Sequence, residues 1–448
     1  MSRILSFLPA VFLLLALFFS SSILFFSCKK TDPEALARLE QERDEKARRQ
    51  AIADFAAALP DDQKIAQLFL VNVEGDRNFI PVEKTGALTG NREEGEALLP
   101  GGCLLFSYNI SESPTQIAAY IASIRRFYQA HHNLPPYVAI DQEGGYVNRL
   151  RKITSNLVSQ KKVAEWFSPE QAYALYAAQA RQLSCLGIQM NLAPVVEVET
   201  DANRDFLDTR SFGSLEQVLS YCAAEIAAYE KHGIATVIKH FPGNNNTDPH
   251  TGLPRIDMQQ DEVETYLTPF SCLASASSAL LMSHIIAQVR DVNGLVQEET
   301  AMPACFSPYW IEAARKCGSG LIFSDDIFMG ALADNGYPPD VAVVAAIDAG
   351  VNCIMLSEKT FGQVAGTLLA KAAVDEDFAQ KIQDSVCRVI AYKVKAGLLN
   401  LEKMEKSEDE TARKSSAPSY RVMISANLPA FDQDAFKAAY DEGMSFYK

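Results

Sequence analysis

The sequence predicts an α/β fold, a (β/α)8 TIM barrel forming a single catalytic domain. Two observations carry that expectation. Short apolar runs recur along the chain, each ending in polar or small residues and followed by a stretch of helical period. The runs are unbroken rather than alternating, as strands of a parallel sheet covered on both faces must be. Eight such units suit a closed barrel better than an open doubly wound sheet. No GxGxxG or GxxxxGKS/T motif follows any run, which leaves dinucleotide and P-loop readings without support.

In order, the predicted strands are Gln67–Val73, Gly102–Phe106, Tyr137–Ile140, Ile188–Val198, Ala235–Ile238, Ala279–Met282, Gly320–Phe323 and Cys353–Leu356. Predicted helices between them include Pro114–Ala130, Pro169–Leu186, Leu215–His232, Pro308–Lys316 and Pro338–Ala349, several of them preceded by Ser as a helix start should be. The barrel is expected over residues 51–400, with Glu74–Leu99 as a charged insertion loop. Residues 29–50 are charged and helix-prone, a spacer; 401–448 form a C-terminal extension able to hold a strand and a helix.

The first 28 residues differ. A basic start precedes an apolar run, Ile4 to Phe26, and then Ser27-Cys28-Lys29-Lys30. That is an export signal, and Cys28 is placed as the lipidated Cys of a bacterial lipoprotein signal, although the run is also long enough to span a bilayer. The expectation is a membrane-anchored protein on the periplasmic or cell-surface side. The other eight of nine Cys form no CxxC pair and read as small core residues.

A chain of 448 residues with 48% hydrophobic content builds a large core. Its net charge of −15 argues against a nucleic-acid partner. Any anionic substrate would be held by local Lys or Arg against an unfavourable long-range field.

Function in a barrel sits at the C-terminal ends of the strands. Those ends read Asp141-Gln-Glu-Gly-Gly, Asn191 with Glu197, Lys239-His240, Ser283-His284 and Ser324-Asp325-Asp326. After Lys239-His240, Pro242-Gly243 stops the strand, and a polar loop carries three Asn, Asp248 and His250. Only six His occur in the chain, and two sit in this stretch. An Asp after a strand plus an Asp/His loop suits two-step displacement at an acetal. Asp325 is placed to attack an anomeric carbon, His250 to protonate the departing oxygen, and Asp248 to orient the imidazole. The bland reading of Asp325-Asp326 is a helix N-cap, a role that Asp326 or Ser324 fits better.

These pieces are recognisable together. Pro100-Gly-Gly-Cys-Leu-Leu-Phe, Ile140-Asp-Gln-Glu-Gly-Gly-Tyr-Val-Asn-Arg149, Leu192-Ala-Pro-Val195, Arg210-Ser-Phe-Gly213, Lys239-His-Phe-Pro-Gly243, Asp248-Pro-His250 and Ile322-Phe-Ser-Asp-Asp326 run in order over residues 55–395. In them the chain resembles glycoside hydrolase family 3, in its single-domain bacterial β-N-acetylglucosaminidase branch. The resemblance implies that Asp325 is the nucleophile, His250 the acid/base and Asp248 its partner. It implies that Asp141, Arg149, Arg210, Lys239 and His240 hold the sugar before the cleaved bond, by charge-assisted hydrogen bonds to ring hydroxyls. It implies a carbohydrate substrate, β-linked N-acetylglucosamine of the muropeptide kind, and no metal or organic cofactor. With only about fifty residues after the barrel, the proton donor must come from the barrel's own loops.

The chain also departs from the family. Asn244-Asn245-Asn246-Thr247 replaces a His-Gly continuation in a shorter loop, Tyr146 stands where Arg is common, and Glu197 where Asp is common. Three alternatives stay open at this level: a β-glycoside phosphorylase, since a His donor does not repel phosphate; a β-glucosidase; and a glycan-binding lipoprotein without activity.

Overall fold

The computed structural model describes residues 33–78, 98–248, 252–356, 361–404, 418–425 and 429–448. Eight parallel strands close into a barrel in strict sequence order. They are β1 Phe69–Asn72, β2 Gly102–Leu105, β3 Tyr137–Ile140, β4 Met190–Asn191, β5 Ala235–Phe241, β6 Ala279–Met282, β7 Leu321–Asp326 and β8 Cys353–Leu356. The last strand returns to the first through the pair Phe69 and Ile354.

Why the runs are apolar throughout follows from the pleat. Successive side chains point to opposite faces, and here both faces are buried. Leu70, Leu104, Tyr137, Ala139, Met190, Val237, Leu281, Phe323 and Met355 fill the barrel interior, while neighbours such as Val71, Cys103, Val138, Ile238, Leu280 and Ile354 belong to the core under the helices. Tyr137 packs directly against the backbone of β2. A Cβ on Gly102 would lie 2.3 Å from the Tyr137 ring, so only glycine fits there.

Helices wrap the barrel. They include α1 Pro33–Ala58, α2 Pro114–Ala130, α3 Pro169–Leu186, α4 Leu215–Lys231, α5 Pro308–Lys316, α6 Pro339–Ala349, α7 Phe361–Ala372, α8 Glu376–Lys395 and α9 Gln433–Ser445. Of the Ser residues at the starts of the predicted helices, three cap with their side chains and Ser113, before α2, does not. Ser168 and Ser214 form reciprocal capping boxes with Gln171 and Gln217, and Ser307 accepts from the Trp310 amide.

β1 and β2 are trimmed by one or two residues against the sequence expectation, and three further strands differ at their ends in ways that bear on the site. β4 is shorter than Ile188–Val198, because Pro194 has no N–H to give a ladder; beyond it only Val195 bridges, to Lys239. β5 is longer and carries Lys239 and His240 inside the strand rather than after it. β7 runs on through Asp326, with a register shift between Phe323 and Asp326. The short helix Gly330–Asp334 that follows starts at Met329 with no side-chain cap, so neither Asp326 nor Ser324 is its N-cap. Asp326 Oδ1 accepts from the Phe328 amide instead, and Ser324 Oγ accepts from the Met355 amide.

The described part of the expected spacer is the front of α1, which runs on to Ala58 and packs on α8 and on a strand, Tyr420–Ile424. That strand pairs antiparallel with Leu399–Lys403, and α9 packs on α3. The C-terminal extension is thus built onto the barrel. Five of the described Cys are buried, and all of the described ones are unpaired. Among the described residues no helix is long and apolar enough to cross a membrane. Residues 1–32 with Cys28, most of the Glu74–Leu99 insertion, and His250 lie outside the described residues.

Candidate active site

At the C-terminal end of the barrel lies a cavity of about 890 Å³. Its floor and walls bring together Asp141, Arg149, Arg210, Lys239, His240, Asp248 and Asp325, seven residues singled out from sequence.

The floor is a network of buried charge. Lys239, at 4% exposure, comes from β5 and sits 2.6 Å from both Asp141 Oδ1 and Glu143 Oε1. Glu143, at 2% exposure, also receives two bonds from Arg210, Nε to Oε2 at 2.8 Å and Nη2 to Oε1 at 2.9 Å. Burial alone would raise the Glu143 pKa, but the Arg210 and Lys239 charges outweigh it and hold the carboxyl well below its usual range. Burial likewise works against the Lys239 and Arg210 cations, and the facing carboxylates overcome it, raising both. The result is a fixed lattice of opposite charges in which only selected donor and acceptor edges face the cavity.

Glu143 was not singled out from sequence, although its signal was present. Residues i and i+2 of an extended segment share a face, so the carboxylate two beyond Asp141 comes to the same side. It leads a tight hairpin whose turn glycines have φ of +100° (Gly144) and +59° (Gly145). A Cβ on Gly144 would fall 2.2 Å from the Val158 carbonyl, so the hairpin can sit on the Leu157–Ser159 segment only with glycine there.

His240 is oriented from both sides. Its Nδ1 lies 2.7 Å from Glu197 Oε1, and Arg210 Nη2 lies 3.4 Å from its Nε2. A carboxylate only accepts and a guanidinium only donates, so the proton sits on Nδ1 and Nε2 is the acceptor. Glu197 also accepts from Asn244 Nδ2 at 3.4 Å, and Asn244 Oδ1 accepts from Ser283 Oγ at 2.8 Å. Glu197, Asn244 and Ser283 therefore hold His240, Asn244 and Ser283 from the cavity wall and Glu197 from behind it. The Phe206 ring packs edge-on to His240 at 6.3 Å, with Arg210 over its face at 5.7 Å. Arg149 stacks over Phe106 at 5.7 Å, on the opposite wall.

Asp325 stands at the tip of β7, its Oδ1 accepting from the Asp326 amide at 2.8 Å. His284 braces that tip by donating from Nε2 to the Asp326 carbonyl at 2.9 Å. Asp248 reaches the same cavity from the loop after β5. Asn191, a rim candidate by sequence, is instead buried beneath the mouth, bonded to the Gln142 backbone. Among the described residues no group of His, Cys, Asp and Glu is placed to hold a metal ion.

A pocket wide enough for a sugar ring, its floor made of mutually paired charges, opens at the usual functional end of a closed parallel barrel, with carboxylates from two elements above it. Fold and site together are those of a glycoside hydrolase. Comparison with known proteins agrees. The sequence profile described as "Glycosyl hydrolase family 3 N terminal domain" matches residues 61–392, and the chain belongs to that family. It is 33% identical over 269 residues to the "Beta-hexosaminidase" of Alkalilimnicola ehrlichii, covering 57% of this chain and 73% of that one. It is 29% identical over 321 residues to "Beta-hexosaminidase A" of Pseudoalteromonas piscicida, covering 66% of this chain but only 53% of the relative, so it spans about half of that enzyme's length. A solved family member from Mycobacterium smegmatis superposes with a TM-score of 0.63 at 26% identity, over 75% of this chain and 98% of that one.

Proposed function

We propose that the chain is a retaining exo-β-N-acetylglucosaminidase that removes terminal N-acetylglucosamine from cell-wall (peptidoglycan) fragments outside the cytoplasm, held at a membrane through Cys28. The observation that carries the mechanism is that Asp325, from β7, and Asp248, from the loop after β5, line one cavity. Two carboxyl-bearing elements facing one pocket are what displacement at an anomeric carbon needs. Asp325 attacks that carbon while the glycosidic oxygen leaves with a proton from His250, two residues beyond Asp248. The glycosyl–Asp325 ester is then hydrolysed by a water that gives its proton back to His250. Asp141, Arg149, Arg210, Lys239 and His240 grip the ring. The names of the relatives support the N-acetylhexosamine specificity, and the apolar N-terminal run supports export.

Release of nitrophenol from an aryl N-acetyl-β-glucosaminide tests the assignment. Asp325→Ala is expected to lower kcat by at least about 10³-fold, and a slow fluorinated sugar is expected to label the peptide containing Asp325 in the wild type. Unchanged release by the variant, or a label elsewhere, sinks the mechanism.

A further inference from the structure

We propose that Asn246 is a positioning residue that fixes the sugar-binding wall to the loop carrying Asp248, a reading that rests on the glycosidase assignment above. The short helix Arg204–Leu207 supplies Phe206, the ring packed against His240 and beneath Arg210. A helix start leaves backbone N–H groups without intrahelical partners, and its N-cap side chain usually accepts from them. Here the N-cap residue, Asn203, does not. Its Oδ1 is turned back to the Thr200 amide and hydroxyl, and its Nδ2 to the Val198 carbonyl.

The cap comes from another loop. Asn246 Oδ1 accepts from the Asp205 amide at 2.9 Å and the Phe206 amide at 3.2 Å. Its Nδ2 donates to the Asp201 carbonyl at 3.1 Å, and its own amide donates to the Ala202 carbonyl at 2.8 Å. Every polar group of the side chain, and the backbone N–H, is spent on the 201–206 segment. Each bond is modest because the residue is open to solvent, but four from one residue tie the two loops as a unit.

The neighbouring Asn residues tie the same loop elsewhere. Asn244 holds it to Glu197 and Ser283, and Asn245 Nδ2 donates to the Arg255 carbonyl at 2.9 Å. The three Asn that set this chain apart by sequence thus have distinct anchoring partners. Asn246 is the one that reaches the sugar wall. Two residues further on stands Asp248, so a shift of Asn246 moves the Phe206 wall and the Asp248 carboxylate together.

Hydrogen exchange by mass spectrometry and steady-state kinetics test this on the full chain. In Asn246→Ala the peptide spanning residues 203–208 is expected to exchange about fivefold faster, since a lost capping acceptor costs about 1 kcal/mol. KM for the aryl glycoside is expected to rise and kcat to fall, each about fivefold, because one wall binds and the other element reacts. Asn246→Asp keeps the acceptor and is expected to restore slow exchange. Unchanged exchange in Asn246→Ala overturns the proposal, as does faster exchange with both KM and kcat within about twofold of wild type. Should the wild type cleave no N-acetylglucosaminide, the enzymatic reading fails by itself, and the exchange rates still decide whether Asn246 caps the wall.

Discussion

Glu143 is the residue on which the charged floor of the cavity turns. Among the described residues it is the one carboxylate bonded to both Lys239 and Arg210. Replacing it with Gln leaves two buried cations short of a partner, a loss of about 3–5 kcal/mol in comparable buried pairs. Glu143→Gln is therefore expected to lower the denaturation midpoint measurably and to weaken sugar binding. The pH dependence has a definite sign. The native pKa of Glu143 lies below its unfolded value, so its contribution to stability is present above about pH 4.3 and is lost as pH falls through that value toward the lower native one. Wild type should lose stability more steeply on acidification than the variant, as read by thermal unfolding between about pH 6 and pH 3. Equal acid limbs would mean that Glu143 is not the anchor. Asp141, Lys239 and His240 were legible in the sequence because each comes at the end of an apolar run, and Arg210 only through the resemblance carried by Arg210-Ser-Phe-Gly213. Glu143 and Asn244 were not, because their roles are to hold other side chains, and that depends on contacts between segments far apart in the chain.

Strands and helices were legible to different depths. Helix starts carried local chemistry, Ser followed by Gln three residues later, and the structure places capping boxes at Ser168 and Ser214. Ser214→Ala removes the acceptor for the Gln217 amide at the start of α4 and is expected to cost about 1 kcal/mol. A fall of a few degrees or less in the unfolding midpoint with turnover unchanged would fit; a change in kcat would mean that α4 reaches the site. Strand ends were harder to read. Hydrophobicity marks where a strand is buried, yet β5 runs on through the polar Lys239 and His240, with a register shift against β6 between Ile238 and Phe241, because the carboxylates of the floor and Glu197 receive those side chains. β4 loses its ladder within an apolar run because Pro194 cannot donate. The reach of both strands depends on what their neighbours offer, which no local pattern records.

For the molecule as a whole, the floor opposite the mouth matters as much as the mouth. Lys393, on α8, is fully buried there and donates to Gln67 Oε1 at 2.5 Å and the Pro135 carbonyl at 2.8 Å, joining the chain just before β1 and β3. Burial pushes its pKa down to about 7. An unfolded lysine titrates near 10.4, so between those values the unfolded chain binds more protons and stability rises with pH. Below about pH 7 the penalty is complete. Wild type is expected to gain in unfolding midpoint from about pH 7 to pH 9, and Lys393→Met to lose that gain; parallel curves would refute it. The barrel, its closure and its orientation were legible from eight recurring units. The buried lysine was not, because an amphipathic helix shows which face is apolar and says nothing of a cation swung inward from its edge.

Among the described residues, those around the cavity carry six carboxylates, Asp141, Glu143, Asp205, Asp248, Asp325 and Asp326, against three cations, Arg149, Arg210 and Lys239. Among the described residues those cations are paired within the floor or stacked on an aromatic ring, which leaves an incoming oxyanion no unengaged cation to dock on. An uncharged second reactant needs none. Added phosphate is therefore expected not to accelerate release of nitrophenol, and acceleration would overturn this reading of the mouth.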